Sequence, residues 1–379
     1  MKGVAGLIFS NIHDRNVPEL TRRRTMGSVP FGGRYRLIDF TLSNMVNANI
    51  NKVGIITHYN YQSLMDHVGN GKDWDLNRST GGIKFLPPFI NAFDNTTTSI
   101  QPYSSRLEAL MGAYHFIDSC EEEYFVLSDC DIICNIDLND VIKHHEENSA
   151  DITIVTKHLT LTEEEVRGST IVETDKTGRV TSLLHNPVGI SGDVDQCLNI
   201  FVLKKDCLRN ILLDSLARGY KSFTKDVIAK EKDNMKFIKY NFTDYFASIN
   251  SLEGYYISSM DLLDARVRRS IFEAKNRPIF TKVKNSVPTK YMGNSKVSNS
   301  LIADGCVIEG TVENSIIFRG VHIGKNTLVK DSVIMGGVSI GDDCMLNCVI
   351  SESKAVIKNQ RILSGHKTHP YLIVKESVI

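Results

Sequence analysis

Neither sign of charge predominates in this chain: Lys+Arg and Asp+Glu both number 44 in 379 residues. No bulk field therefore favours nucleic acid or an anionic membrane. No apolar run approaches the roughly 18–20 residues needed to span a bilayer. The opening MKGVAGLIFS is apolar but short, and His13, Asp14 and Arg15 follow it without a small-residue cleavage site. That pattern predicts a buried first strand and not a signal peptide. Cysteine is sparse, with eight residues and no CxxC. The close pairs Cys130/Cys134 and Cys344/Cys348 have no histidines at zinc spacing, so no metal centre is expected. Reduced structural cysteines in a cytoplasmic protein are the expectation.

What is present is a chain of 42% hydrophobic and 23% charged residues, ordinary for a globular protein of this length. Short apolar runs at 4–9, 52–57, 124–127, 151–157 and 197–203 suit buried strands. Helical patterns at 40–48, 61–68, 107–119 and 138–148 lie between them. The alternation predicts an α/β, Rossmann-like domain over 1–276 with a mainly parallel sheet and a ligand site beyond the strand C-terminal ends.

From about residue 277 the pattern changes. Residues 277–294 carry Pro278, Pro288 and Gly293 and read as a linker. Over 295–379 an aliphatic residue recurs with a small or apolar residue four positions on: Ile302/Cys306, Ile308/Val312, Ile323/Thr327, Val329/Val333, Ile340/Cys344 and Leu346/Ile350. Successive couples are spaced by six, the signature of a hexapeptide β-solenoid. Gly305, Gly310, Gly320, Gly324, Gly336, Gly337 and Gly341 are expected to supply turns of positive φ.

Residues 29–44 read VPFGGRYRLIDFTLSN. This segment resembles the N-terminal signature of the bacterial ADP-glucose pyrophosphorylase (glucose-1-phosphate adenylyltransferase) family. Trp74–Arg78 (WDLNR), the GGIKFLPP run at 81–88 and Ser259–Leu263 (SMDLL) resemble further segments of the same family. The resemblance covers essentially the whole chain and implies a nucleotidyltransferase domain followed by a left-handed parallel β-helix.

The family joins glucose-1-phosphate to ATP, which needs positioning and charge neutralisation. The resemblance implies four parts for this, and each departs here. The glycine-rich loop GGxGxRL aligns without gaps on residues 10–17, SNIHDRNV, so Asn11, Ile12 and Asp14 stand at glycine positions and Asn16 at the arginine. Asp14 brings negative charge toward the place of a triphosphate, and Arg15 sits one position early. The lysine of AKP is Met26. Of the two Mg²⁺-holding aspartates, Asp131 matches one, as remnant contact or plain strand-end residue, while Ser248 replaces the other. The sugar-phosphate lysine is Asn186, and the GTA segment reads Ser105-Arg106-Leu107. One lost preorganised contact commonly costs about 10²–10³ in rate, so little turnover is expected.

The resemblance also places a basic residue after FGG in an activator pocket between the domains, here Arg34, with Arg36, Arg22 and Arg24 as further candidates for a phosphorylated sugar effector. Arg36 suits an internal salt bridge equally well, and Arg22–Arg24 suits a solvated surface run. A family member with this pattern resembles the GlgD-type regulatory subunit. Such a chain uses no cofactor of its own. It joins a catalytic subunit, which uses Mg²⁺ with ATP, in a heterotetramer, with a homo-oligomer open for the chain alone. Two other readings stay open. One is a competent adenylyltransferase using Arg15 and Asp131. The other is a solenoid acyltransferase, for which His322 is the histidine available within the clear repeats. His366 and His369 read as surface residues, and His144 and His145 as helix positions.

Overall fold

A computed structural model of the chain describes residues 3–87, 105–231 and 233–379. Pro88, the last residue of the GGIKFLPP run, and Met1–Lys2 lie outside the described residues.

Four strands form a parallel core: β1 (Val4–Phe9), β2 (Lys52–Ile56), β3 (Gly82–Leu86) and β4 (Tyr124–Asp129), in the order β4-β1-β2-β3. β1 and β4 are buried along nearly their whole length, which is why they read as unbroken apolar runs. Helices Leu37–Asn47, Gln62–Val68 and Arg106–Gly112 belong to the crossovers. The helix expected over 107–119 breaks at Ala113 and resumes as Tyr114–Ser119. Helix Leu37–Asn47 starts inside the signature segment, where the Asp39 carboxylate accepts the Arg36 amide at 3.0 Å.

The sheet continues through β5 (Ile152–Leu161), β6 (Thr170–Thr174), β7 (Val180–His185), β8 (Gly192–Lys204) and β9 (Phe237–Asn241). β8 runs antiparallel to β4, with Phe201 opposite Leu127, and antiparallel to β5. β9 returns parallel to β5. The parallel core thus carries an antiparallel extension. β8 begins well before the apolar run at 197–203, because its first half is partly exposed and alternating.

The C-terminal region folds as three five-stranded sheets of parallel strands, a β-helix of the expected left-handed class. Ile308, Val312, Ile323, Val329, Ile340 and Leu346 fill its interior. The first strand, Lys290–Tyr291, pairs with Val307–Ile308 and lies inside the stretch read as linker; both its residues are exposed, so no inward pattern marks it. Ser315 Oγ accepts the Ser332 amide and Ser332 Oγ accepts the Val349 amide, each at 3.1 Å, so one corner is a ladder of hydroxyls.

The glycine expectation needs correction. Gly305, Gly320 and Gly337 have positive φ, whereas Gly310, Gly324, Gly336 and Gly341 do not. Space explains three of these four. A Cβ on Gly324 would stand 2.6 Å from the Gly341 carbonyl, and one on Gly310 would stand 2.8 Å from the Gly324 carbonyl. Gly341 meets Asn359 in the same way. These glycines let successive coils stack at close range.

One face of the solenoid packs on the first domain. Ile316, Val333 and Ile350 join Phe31, Phe40 and Tyr255 in one apolar cluster, and Tyr256 donates its hydroxyl to the Asp331 carbonyl at 2.6 Å. All eight cysteines are free thiols, seven of them buried. Among the described residues no helix is long and apolar enough to cross a membrane.

Candidate functional site

β1 has neighbours on both sides, and the segments leaving the C-terminal ends of β1 and β4 meet there, where an open α/β sheet forms its ligand crevice. The loop after β1 is closed upon itself. Asn11 is buried; its carbonyl accepts the Thr57 hydroxyl at 2.8 Å and the His58 amide at 3.1 Å, and its amide donates to Asp14 at 2.6 Å. The other Asp14 oxygen accepts the Met26 amide at 2.7 Å. Burial pushes the Asp14 carboxyl up to about 7, against the pull of these two hydrogen bonds. The chain then turns through Asp14–Asn16 into the short helix Pro18–Thr21. Asn11 and Asp14 are thus committed, to each other and to Thr57, His58 and Met26. Met26 packs in an apolar cluster with Val17, Leu20, Val29 and Phe31 and is 1% exposed.

A second group was not found from the sequence. His13, carried by the same loop, places Nε2 2.8 Å from Asp129 Oδ2 and 3.9 Å from Asp131 Oδ2. Arg106, from the helix after the sheet's third strand, reaches Asp129 Oδ2 at 2.5 Å. Its guanidinium lies 5.5 Å from the Phe9 ring centroid and 5.1 Å from that of Phe201. Burial alone would lower the His13 pKa, but Asp131 and the bond to Asp129 overcome it and raise it to about 9. Burial pushes Asp131 up to about 6, against the attraction of His13. Asp129 goes the other way: burial opposes its charge, but Arg106 and His13 hold it below the ordinary carboxylate range. The signal available in the sequence was Asp129 and Asp131 two apart at a strand end, next to a loop with an imidazole.

The two positions where the family resemblance implies Mg²⁺-holding aspartates, Asp131 and Ser248, do adjoin. Ala247–Ser248 pairs with Ile132–Ile133, and the Ile249 amide donates to the Asp131 carbonyl at 2.7 Å. The residues present do not fit Mg²⁺ carrying a triphosphate. Ser248 is a weak hydroxyl donor where a carboxylate is needed, and Asp14 turns a carboxylate into the loop. His13 and Arg106 already neutralise Asp129, and Mg²⁺ prefers an all-oxygen octahedron. Asn186 lies on the turn after β7, at φ 49°, with its side-chain carbonyl accepting the Gly168 amide at 2.9 Å.

The basic candidates separate. Arg34 is exposed, sits 5.2 Å over the Tyr35 ring, and lines a cleft of about 500 Å³ between the domains. Arg268, Tyr291 and Ser300 share that cleft, and Arg268 also donates to the Leu262 and Leu263 carbonyls at 2.8 Å each. Sequence reasoning missed Arg268. Arg36 turns inward to Ser63, donating to its carbonyl at 2.6 Å and its hydroxyl at 2.9 Å. Arg24 is buried against Glu352 of the β-helix at 2.5 Å, so it is an interdomain ion pair and not part of a solvated run. Arg22 is exposed and does not line the cleft. In the solenoid, His322 contacts Glu309 at 3.2 Å, and His366 contacts Thr368 at 2.9 Å.

Comparison with known proteins agrees with this architecture. Residues 16–264 match the family described as "Nucleotidyl transferase", and residues 282–368 match "GlmU-like, C-terminal hexapeptide". The "Glycogen biosynthesis protein GlgD" of Bacillus subtilis (strain 168) is 35% identical, covering 98% of this chain and 95% of its own. The protein of the same name from Geobacillus stearothermophilus is also 35% identical, over 86% of this chain and 82% of its own. A "Glucose-1-phosphate adenylyltransferase" of Thermosipho africanus is 33% identical, over 87% of this chain and 78% of its own. With family matches over both regions and relatives along nearly its whole length, the chain belongs to the nucleotidyl transferase family, in the group formed by the glucose-1-phosphate adenylyltransferases and GlgD-type proteins.

Proposed function

We propose that this chain serves glycogen biosynthesis as a regulatory subunit with little or no turnover of its own. It would pair with a catalytic glucose-1-phosphate adenylyltransferase subunit in a heterotetramer and raise its activity or alter its effector response. The observation that carries the reading is the loop after β1, where Asp14 occupies the Met26 amide. A triphosphate approaching that loop meets a carboxylate and committed hydrogen bonds, where a catalytic loop offers free amides and glycines. Near-full-length similarity to proteins named for glycogen biosynthesis supports the pathway. Mg²⁺ and ATP then belong to the catalytic partner, and this chain needs no cofactor for its regulatory role.

The cleft at Arg34 suits a phosphorylated sugar. Arg34 and Arg268 bring two guanidinium groups to a concave site with aromatic walls from Tyr35 and Tyr291. Because the walls come from both domains, a bound ligand favours one domain arrangement over another. Differential binding of that kind is what allosteric coupling requires. The test is to titrate sugar phosphates into mixtures of the catalytic subunit with this chain or its Arg34→Ala variant. Arg34→Ala is expected to weaken the effector response about 10-fold or more, as loss of a charge-assisted contact of 1.5–3 kcal/mol implies, while leaving subunit pairing intact. An unchanged response would remove Arg34 from the effector site.

A further inference from the structure

A cavity of about 300 Å³ shares no residue with the Arg34 cleft or with the loop after β1. Its size falls within the range that small-molecule sites use. One wall is the helix Lys205–Arg218. Cys207, Ile211, Asp214 and Ser215 line the cavity from it at i, i+4, i+7 and i+8, a single stripe of a helix. The helix ends at Gly219, at φ 67°, and the chain turns. The segment that follows supplies Tyr220, Val227, Glu231 and Met235 to the lining. Val227 is carried by the π-helical turn Phe223–Ile228, a rare geometry that recurs at functional sites. Asp151, just ahead of β5, also lines the cavity.

The lining is apolar with three carboxylates. Ile211 and Val227 are buried, and burial pushes the Cys207 thiol up to about 12, so it stays uncharged. Among the described residues no lysine or arginine lines the cavity, and none forms an ion pair with Asp151, Asp214 or Glu231. Lys230 turns to Asp226 at 3.2 Å, and Lys230 and Arg218 lie 4.2 and 5.9 Å from the Tyr220 ring centroid. Asp151 Oδ2 accepts the Lys236 amide at 2.7 Å and Glu231 Oε2 accepts the Asn234 side-chain amide at 3.1 Å, which leaves the second oxygen of each open. The Ser215 hydroxyl is buried without a hydrogen-bond partner, so this wall carries an unsatisfied polar group.

We infer that this cavity binds a small organic cation, an ammonium group on an apolar aryl or alkyl body. The ammonium would meet Asp214 and Glu231, and the body would rest on Ile211, Val227 and Met235. Charge decides the class of ligand. Three carboxylates without a basic partner repel an anion and attract a cation. Among the described residues they are not gathered closely enough to share one metal ion, so an extended cation fits where a dication does not. Apolar walls with a few polar groups that fix orientation are what such a ligand needs. Once bound, it would join the helix Lys205–Arg218 to the segment after Gly219. This inference goes beyond the regulatory reading and does not depend on it, since the cavity shares no residue with the sites on which that reading rests.

The test is calorimetric titration of phenethylammonium into the full chain, for the native sequence, Asp214→Asn and Glu231→Gln. Phenylpropionate, an anion with the same apolar body, is titrated in parallel, and circular dichroism establishes that each variant is folded. Saturable one-to-one binding of the amine is expected, weakened about 10-fold or more in either variant, as loss of a charge-assisted contact implies. Phenylpropionate is expected not to bind. A rise in thermal midpoint with the amine, smaller in both variants, is the second expected readout. Amine binding of equal strength in the folded variants would overturn the assignment, as would equal binding of phenylpropionate or no saturable binding of the amine.

Discussion

Glu352→Ala is expected to destabilise this protein by about 3–5 kcal/mol, the usual cost of removing one partner of a buried ion pair. The pair Arg24–Glu352 is 2.5 Å long, with side chains 8% and 7% exposed, and it joins a loop of the first domain to the β-helix. Glu352 also accepts the Lys375 amide at 3.0 Å, so its loss strands a guanidinium and an amide together. The mirror change, Arg24→Ala, leaves a buried carboxylate with that amide alone and should cost a similar amount. Replacing both residues by apolar ones of similar volume, Arg24→Met with Glu352→Leu, should recover most of the loss, because the desolvation of both charges disappears with their attraction. Urea denaturation followed by circular dichroism reads all four proteins. A shift below about 1 kcal/mol for Glu352→Ala would show that the pair behaves like an exposed one.

Met26→Lys is the second large effect. The family resemblance implies a lysine at this position, and placing one here would at first sight rebuild part of a phosphate site. The structure predicts the opposite. Met26 lies in the cluster of Val17, Leu20, Val29 and Phe31, and its amide is held by Asp14. An ammonium forced into that cluster loses its hydration, and the neighbouring Asp14 carboxyl is already engaged by the Met26 and Asn11 amides, which costs several kcal/mol or drives the group neutral. The variant is expected to lose stability by about 3 kcal/mol or more and to gain no adenylyltransferase activity. Met26→Leu, which keeps volume and polarity, should stay within about 1.5 kcal/mol of the native chain. A stable Met26→Lys protein that forms ADP-glucose would mean that the segment turns outward and that the loop opens.

Much of the fold was legible because the patterns that specify it are local. β1 is buried on both faces, so 4–9 reads as a strand without any neighbour being known. The inward positions of the solenoid recur every coil, so Ile308, Ile323 and Ile340 announce one another. Where position along the chain and position in space diverge, sequence reading fails. His13 meets Asp129 across 116 residues, and Arg24 meets Glu352 across 328. Nothing near Arg24 distinguishes it from Arg22 and Arg23, yet it alone of the three is buried. Gly310, Gly324 and Gly341 looked like turn residues because composition reveals a glycine but not whether its backbone angle or its missing Cβ is what the fold requires. The site was legible by subtraction: the replaced residues at Asp14, Met26 and Ser248 were visible, while the closed hydrogen-bonded loop that took their place was not.

The most direct test of the regulatory account is ADP-glucose formation from ATP and glucose-1-phosphate with Mg²⁺, measured for this chain alone, a catalytic adenylyltransferase subunit alone, and the two together. The account predicts no product above background from this chain alone and a higher rate, or an altered effector response, in the mixture than the catalytic subunit gives by itself. Robust turnover by this chain alone would contradict it and would require a triphosphate site built from residues other than the loop after β1.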